Sequence, residues 1–262
     1  MNTRRIKGIL WQELFVLRRS YEVIADIIVF PFTNILVFGF LSVYLSGDNP
    51  LAAKYVLSGM LLWGVIWIVQ YSVTLGSLWN IWSRNLSNIF IAPITLGEYI
   101  TAHTLSGILK AFVVLLVNAI LSVFVFDFNL LDMGLPTLAL AFVNFSLFAY
   151  ALGIFLLGLI WQYGTRIQAV SWSLVGLIQP LVAAFYPLSV LPYVIQAIAI
   201  LFSPTFVFEA TRFALANNGA VAWDLFLIAF LQNVVYCIVA TRLFVRMYDR
   251  SRDSGQFSRN ES

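Results

Sequence analysis

Residue types that would mark nucleotide or metal chemistry are scarce in this chain. None of its three lysines, Lys7, Lys54 and Lys110, closes the glycine-rich loop that cradles nucleotide phosphates. The single histidine, His103, and the single cysteine, Cys237, cannot supply the ligands of a zinc site. No Gly-x-Ser-x-Gly nucleophile motif is present. We therefore expect no catalytic residue, no metal site and no cofactor bound by the chain itself. We interpret His103 as a residue at the cytoplasmic interface of the membrane.

Acidic residues fall at or near the ends of the apolar segments, and only Asp26 lies within one. This placement disfavours a mid-membrane proton or sodium relay. The polar residues inside the segments are neutral amides, and most of them should form interhelical hydrogen bonds. They are Asn34, Gln70, Asn118, Asn144, Gln179, Gln232 and Asn233. We select Asn34, Gln70 and Gln179 as candidate residues of a substrate pathway.

Glu209 and Arg212 are two charges in an otherwise apolar stretch. Their spacing of three places them on one face of a helix, where they can pair. An unpaired charge in such surroundings would be costly. We therefore predict an ion pair, which either only holds its segment in shape or reorganises as part of an outer gate.

The composition indicates what surrounds these residues. Of 262 residues, 61% are apolar and 10% are charged, against roughly 25% charged in an average soluble domain. So short a chain cannot hide that much apolar surface inside a soluble globule, and a disordered chain has the opposite composition. We therefore predict an all-α integral membrane protein.

Six apolar segments are long enough to cross a bilayer as helices, which takes about 20 residues. They run about Glu22–Leu45, Ala53–Trp79, Leu105–Phe126, Leu135–Ile160, Ile167–Tyr186 and Ala222–Phe244. Pro180 should kink or break the fifth, because proline removes a backbone hydrogen bond. Residues 1–20 are basic and amphipathic, as in a helix that lies in the headgroup layer. Residues 1–248 thus form one transmembrane domain, followed by a polar and disordered tail, 249–262.

Lysine and arginine are distributed very unequally over the connections. Thirteen of the fifteen fall in the N-terminal segment, the second-to-third and fourth-to-fifth connections and the C-terminal end. Only Lys54 and Arg212 belong to the opposite side. The positive-inside rule then predicts that both termini are cytoplasmic.

Two connections are unusual. Residues 81–104, on the basic side, are long and only moderately polar. Residues 187–221, on the other side, are mostly apolar but are interrupted by Pro187, Pro192 and Pro204. Apolar runs of 10–14 residues are typical of re-entrant or interfacial segments. We predict two short re-entrant helices between spans five and six, with Pro192 and Pro204 near their N-termini.

This layout resembles the membrane subunit of ABC-2 type transporters, which export drugs, lipids or lipid-linked polysaccharides. Besides the amphipathic helix and the six spans, the resemblance rests on three segments. They are IAPIT at Ile91–Thr95, YPLSVLP at Tyr186–Pro192 and SPTFVFEATR at Ser203–Arg212. It implies a homodimer in the bacterial plasma (inner) membrane, paired with two copies of a separate ATPase that binds ATP and Mg. It implies no enzymatic activity in this chain and no nucleic-acid partner.

The resemblance also implies that a helix in the second-to-third connection seats in a cleft of the ATPase. The matching positions run about from Arg84 to Pro93, with Leu86, Ile89 and Phe90 as apolar contacts. Exposed apolar residues in a cytoplasmic loop independently suggest a partner. The competing interpretation is that Ile89 and Phe90 pack against lipid or against neighbouring spans.

Two functions from different classes fit the chain at this point. The first is the permease of an ATP-driven exporter that moves a hydrophobic or lipid-linked substrate. The alternative is an ion-coupled carrier or a membrane enzyme that acts without an ATPase. A copurifying ATPase would favour the first, and proton flux driven by the purified chain alone would favour the second.

Overall fold

A computed structural model describes residues 1–47, 49–83 and 85–255, and over these residues the chain is all-helical. Five helical stretches are long and apolar enough to cross a membrane, which makes the chain a multi-pass membrane protein. They are Ala25–Ser46, Pro50–Trp82, Leu96–Phe126, Leu135–Tyr163 and Trp223–Asp253.

The first crossing helix contains a widened turn. Helix α1 (Thr3–Arg19) leads through α2 (Tyr21–Ile24) into a π-helical turn, Ala25–Val29, and then into α3 (Phe30–Ser46). At the end of this turn the N–H of Phe30 donates to the carbonyl of Ala25, five residues back. Pro31 has no N–H to continue the ordinary ladder, so a local change of helix type falls beside it.

Helix α4 (Pro50–Trp82) is the centre of the fold. Its N-terminus is capped, because the Asn49 side chain accepts a hydrogen bond from the N–H of Ala52 and Pro50 occupies the first turn. Between Leu57 and Ile81 nearly all of its residues are buried against its neighbours. Polar residues of α4 are consequently enclosed and must find partners inside the protein.

Helix α5 (Leu86–Ile91) precedes α6 (Leu96–Phe126), which begins nine residues before the predicted third span. The reason is a capping box: Thr95 and Glu98 bond reciprocally to each other's backbone N–H. Helix α7 (Leu135–Tyr163) follows a short 3₁₀ turn and matches the predicted fourth span at its start.

The helix found at the predicted fifth span, Ile167–Tyr186, is shorter than that span. Helix α8 (Gln168–Leu181) ends just after Pro180, and Ala183 then adopts a positive φ of 53°. Two short helices follow, α9 (Tyr193–Ala199) and α10 (Ser203–Ala216), with a bend of 102° between them.

Helix α11 (Trp223–Asp253) ends the described fold and continues into the segment predicted to be a disordered tail. Residues 249–253 are helical, and the buried Ser251 hydroxyl donates to the carbonyl of Trp161 at 2.5 Å. Trp161 also lies 6.1 Å, between ring centroids, from Tyr99 at the start of α6. The N–H of Asn2, just before α1, donates to Glu98 in the same first turn of α6. The two ends of the described chain therefore meet at one end of the bundle, which we call the basic end.

Candidate functional site

A small cavity inside the bundle brings together amides from three helices. Asn34 of α3 and Gln179 of α8, both predicted as pathway residues, line it together with Asn118 of α6. Aromatic rings form much of the remaining wall, among them those of Phe30, Phe38, Trp63 and Trp67. The cavity measures about 110 Å³, which suits a few water molecules rather than a drug-sized ligand. Its amides can donate and accept hydrogen bonds but do not titrate.

Gln70, the third predicted pathway residue, lies apart from this cavity. Its Nε2 donates to Thr74 Oγ1 at 2.9 Å, and Thr74 donates to the carbonyl of Gly153 in α7 at 3.3 Å. Gln70 thus belongs to the packing of α4 against α7. Asn118, rather than Gln70, lines the cavity with Asn34 and Gln179. The spacing of the amides along the chain does not predict this difference.

Other mid-span amides act as interhelical ties, as expected for most of the set. Asn233 of α11 donates through Nδ2 to the carbonyl and to Oδ1 of Asn144 in α7, at 3.0 and 3.1 Å. The Ser203 hydroxyl, at the start of α10, donates to Asn233 Oδ1 at 2.5 Å. One buried network therefore fixes α7, α10 and α11 to one another.

The predicted ion pair between Glu209 and Arg212 forms at the opposite end of the bundle. Arg212 Nη2 donates to Glu209 Oε1 at 2.9 Å, and the side chains are 5% and 29% exposed, respectively. Arg212 Nη1 also donates to the carbonyl of Ala183 at 3.0 Å, and the N–H of Leu188 donates to Glu209 Oε1 at 2.6 Å. The pair therefore ties α10 to the loop after α8, a set of contacts that spacing alone did not predict.

Close backbone packing confines this loop from a second side. A side-chain carbon at Gly59 of α4 would collide with the carbonyl oxygen of Ala184. Only glycine lets the loop approach α4 so closely. The loop is thus held between α4 and the Arg212 guanidinium.

The three predicted prolines occupy the starts of short elements. Pro187 precedes the 3₁₀ turn Leu188–Val190, Pro192 immediately precedes α9, and Pro204 is the second residue of α10. These are positions where the missing N–H of proline has no helical partner to lose. Two short proline-led helices therefore follow α8, as predicted.

The predicted coupling segment forms helix α5 at the basic end. Arg84 and the side chains of Leu86 and Phe90 lie outside the described part of the chain. Ile89 is only 8% exposed and packs into the core, so for this residue the competing interpretation is correct. Ile91 at the end of α5 is 81% exposed, and Pro93 beside it is also exposed. The exposed apolar side chain of this segment is thus Ile91 rather than Ile89.

A buried charged cluster, which sequence reasoning missed, fixes α1 to α6. Glu13 Oε2 accepts from Lys110 Nζ at 2.7 Å and from the Ser106 hydroxyl at 3.3 Å. His103 Nδ1 lies 3.2 Å from Glu13 Oε1. His103 is therefore buried beneath α1. The available signal was the position of Glu13, at helical spacing from Ile9 on the buried face of α1.

The charge state of Glu13 follows from its neighbours. Burial by itself would raise the pKa of this carboxyl. His103 and Lys110 outweigh that effect and lower the pKa to about 2. Glu13 is thus a carboxylate at neutral pH, held between the two basic groups. A side-chain carbon at Gly76 of α4 would collide with His103, so the cluster also depends on close approach of α4.

The first residues of α1 are bound to the start of α6 next to this cluster. Glu98 accepts a hydrogen bond from the N–H of Asn2 at 2.6 Å and lies 3.5 Å from the Arg5 guanidinium. Gln12 Nε2 donates to Asn80 Oδ1 at 2.7 Å, and Asn80 donates to the Tyr99 hydroxyl at 2.9 Å. A movement of α1 is thereby linked to α4, to α6 and to the adjoining α5.

No family model matches the chain, and no curated protein matches it. Within residues 1–47, 49–83 and 85–255, no group of three or more His, Cys, Asp and Glu side chains could hold a metal ion. The function must therefore be inferred from how the basic end, the cavity and the ion pair at the opposite end are arranged.

Proposed function

We propose that this chain is the permease subunit of an ATP-driven exporter of the ABC-2 type. Two copies would pair with two ATPase subunits in a bacterial plasma membrane, with both termini in the cytoplasm. The transported molecule would be hydrophobic or lipid-linked and would leave the cytoplasm or the inner leaflet. ATP and Mg belong to the ATPase subunits, and this chain contributes the membrane pathway.

The exposed end of α5 is the observation that carries this proposal. Ile91 is an almost fully exposed isoleucine at the end of the bundle where the chain's basic termini meet. A short helix between two long helices, with an apolar tip, is suited to fit a cleft of a partner protein. Its neighbour Ile89 anchors the same helix to the core, so a force on Ile91 is transmitted to α4 and α6.

The path of the chain supports six crossings. Helices α3, α4, α6, α7 and α11 account for five, whereas termini at the same end require an even number. Between the end of α7 and the Ala183 loop beside Arg212, the chain must traverse the bundle once more. Helix α8 makes that connection with 14 residues, about 21 Å of helix, extended by the flanking 3₁₀ turn and loop.

The bent pair α9 and α10 is then the re-entrant element. Its entry turn and its second helix are joined through Leu188 and Glu209, so the pair leaves from and returns to the same end. The Glu209–Arg212 cluster therefore lies where a substrate would exit, opposite the basic end.

The amide cavity supports a closed pathway. Asn34 and Gln179 belong to α3 and α8, which correspond to spans one and five, and the resemblance to ABC-2 permeases implies that these spans face the second copy. Because the cavity is far smaller than a drug or a lipid, transport would require these helices to separate.

Replacing Ile91 by Asp is expected to uncouple the chain from its ATPase. Losing an apolar contact at the centre of an interface costs about 2 kcal/mol or more, roughly a thirtyfold loss of affinity. The measurement is the amount of ATPase protein and of ATP hydrolysis that copurify with the tagged full chain from its native membranes. Leu131→Asp is the matched control, because Leu131 is also exposed, at 57%, but lies between α6 and α7 at the opposite end.

The proposal predicts that Leu131→Asp retains the ATPase and that Ile91→Asp loses it at equal membrane insertion. If no ATPase copurifies with the wild-type chain, or if both variants lose it equally, the proposal is wrong. Substrate-dependent proton flux by the purified chain in vesicles would instead establish the ion-coupled alternative.

A cysteine at Leu177 is expected to crosslink two copies in the membrane. Leu177 is 59% exposed on α8, which the resemblance to ABC-2 permeases implies faces its symmetry mate. Ile120, 56% exposed on α6, is the control position, and Cys237 is replaced by Ala in both variants. A disulfide-linked dimer should form at Leu177 on mild oxidation. Crosslinking mainly at Ile120 would place the dimer contact, and hence the pathway, elsewhere.

A further inference from the structure

An open groove of about 800 Å³ runs between α1 and α6 at the basic end. We call it the α1 groove. One wall is a face of α1, the other is a face of α6, and the residues after α1 form its floor. The apolar lining is Leu10, Trp11, Leu14, Leu17, Ile24, Ile27, Ile28, Leu109, Val113 and Val114. Its volume would accommodate acyl chains, and its lining is mostly apolar.

The charges of the α1 groove are all of one sign. Lys7, Arg18 and Lys110 line it, and none of the described lining residues is acidic. Lys110 is paired with Glu13, which does not line the groove. Lys7 and Arg18 are exposed and form no ion pair with any residue that the structure describes. They lie eleven residues apart on α1, about 16 Å along the helix.

From this juxtaposition we propose that the α1 groove is a binding site for an anionic phospholipid of the adjoining leaflet. The acyl chains would lie against the apolar walls, and the phosphate would contact Lys7 or Arg18. Basic pockets beside membrane helices attract anionic headgroups in this way. A second copy of α1 would bring the same positive charges into the groove and is disfavoured. The bound lipid would hold α1 against α6 and so support the Glu13 cluster, whether or not the chain is a permease.

The test is a lipid titration of the purified full chain in detergent, read by native mass spectrometry. The probe is dioleoyl phosphatidylglycerol, compared with neutral dioleoyl phosphatidylcholine at the same ionic strength. The wild-type chain should bind one phosphatidylglycerol more tightly than any further lipid. Replacing Lys7 and Arg18 together by Ala should weaken that first binding step by about fivefold or more, because one of the two contacts the phosphate and a basic residue near a headgroup contributes roughly fivefold.

Two matched controls separate a site from general attraction. Arg242→Ala with Arg246→Ala removes the same charge from exposed positions on α11 and should leave the affinity unchanged. Val113→Trp fills the α1 groove and should block the first binding step. Val117→Trp, one turn further along α6 and outside the groove, should not, although the two valines are equally exposed, at 51% and 50%.

Each contrary result overturns the proposal. Equal losses in the two double variants would show nonspecific attraction to the basic end. Equal affinity for phosphatidylcholine would show an apolar groove without headgroup selectivity. Full competition by soluble glycerol phosphate would show an anion site that needs no acyl chains. Unaltered binding in both Val113→Trp and the Lys7/Arg18 variant would place the lipid elsewhere.

Discussion

Replacing Glu209 by Ala should destabilise the chain by about 3 kcal/mol and should be the most damaging single change at the end opposite the basic end. The reason is Arg212, whose side chain is 5% exposed. Without Glu209 this guanidinium would remain buried without a counter-charge, and breaking a buried pair costs about 3–5 kcal/mol. The Leu188 N–H would lose its acceptor at the same time. The measurement is thermal unfolding of the detergent-solubilised chain.

A compensating variant tests the cause of this loss. Glu209→Ala combined with Arg212→Met removes both charges and keeps most of the buried volume, so it should be more stable than Glu209→Ala alone. Part of the loss will remain, because the Ala183 carbonyl loses its donor. If the effects of the two single changes simply add in the double variant, the pair contributes no coupling energy and its assigned role is wrong.

Stability and turnover together distinguish the two roles considered for the pair. A purely structural role predicts lower stability with near-normal transport in the protein that folds. If the chain is the permease proposed above, a gate predicts altered basal ATP hydrolysis in the complex with the ATPase at nearly unchanged stability. The contacts to Ala183 and Leu188 favour a structural role in this conformation, since one pair holds both α8's loop and the turn before α9.

Replacing Glu13 by Ala should release α1 from α6, at a cost of about 3 kcal/mol. Glu13 is the common acceptor of Lys110 and Ser106 and lies against His103, so its loss strands a largely buried ammonium group. Faster hydrogen exchange confined to α1 and the start of α6 would report the release. Glu13→Ala with Lys110→Met should restore much of the protection, because no charge is then left unpaired.

The same cluster predicts a pH dependence with a defined sign. The pKa of Glu13 is lowered from its ordinary value of 4.5 to about 2 in the folded chain. A lowered carboxyl pKa contributes stability that is complete above about pH 4.5 and is lost as the pH falls towards 2. The wild-type chain should therefore lose roughly 3 kcal/mol over this window relative to Glu13→Gln. Asp253→Ala, at an exposed position, is the control and should not change the pH profile.

The amino-acid sequence by itself determined the class of this protein and several of its local features. A chain this apolar must face lipid, and helices satisfy their own backbone hydrogen bonds there. Proline is disfavoured inside a helix but is tolerated in its first turn, so the short elements after α8 could be predicted from Pro187, Pro192 and Pro204. A spacing of three places two side chains together within one helix, so the Glu209–Arg212 pair was also predictable. Each of these features depends only on neighbours along the chain.

Only the tertiary structure decided which faces meet. Asn118 joins Asn34 and Gln179, whereas Gln70 packs against α7, because helix rotation sets which amides share a cavity. Ile89 and Ile91 are two residues apart, yet only Ile91 is exposed, since α5 turns Ile89 into the core. Glu13 and Lys110 are 97 positions apart in the chain and have no local relation at all. Their pairing arises when α1 folds back onto α6, because a buried charge is stable only beside its partner.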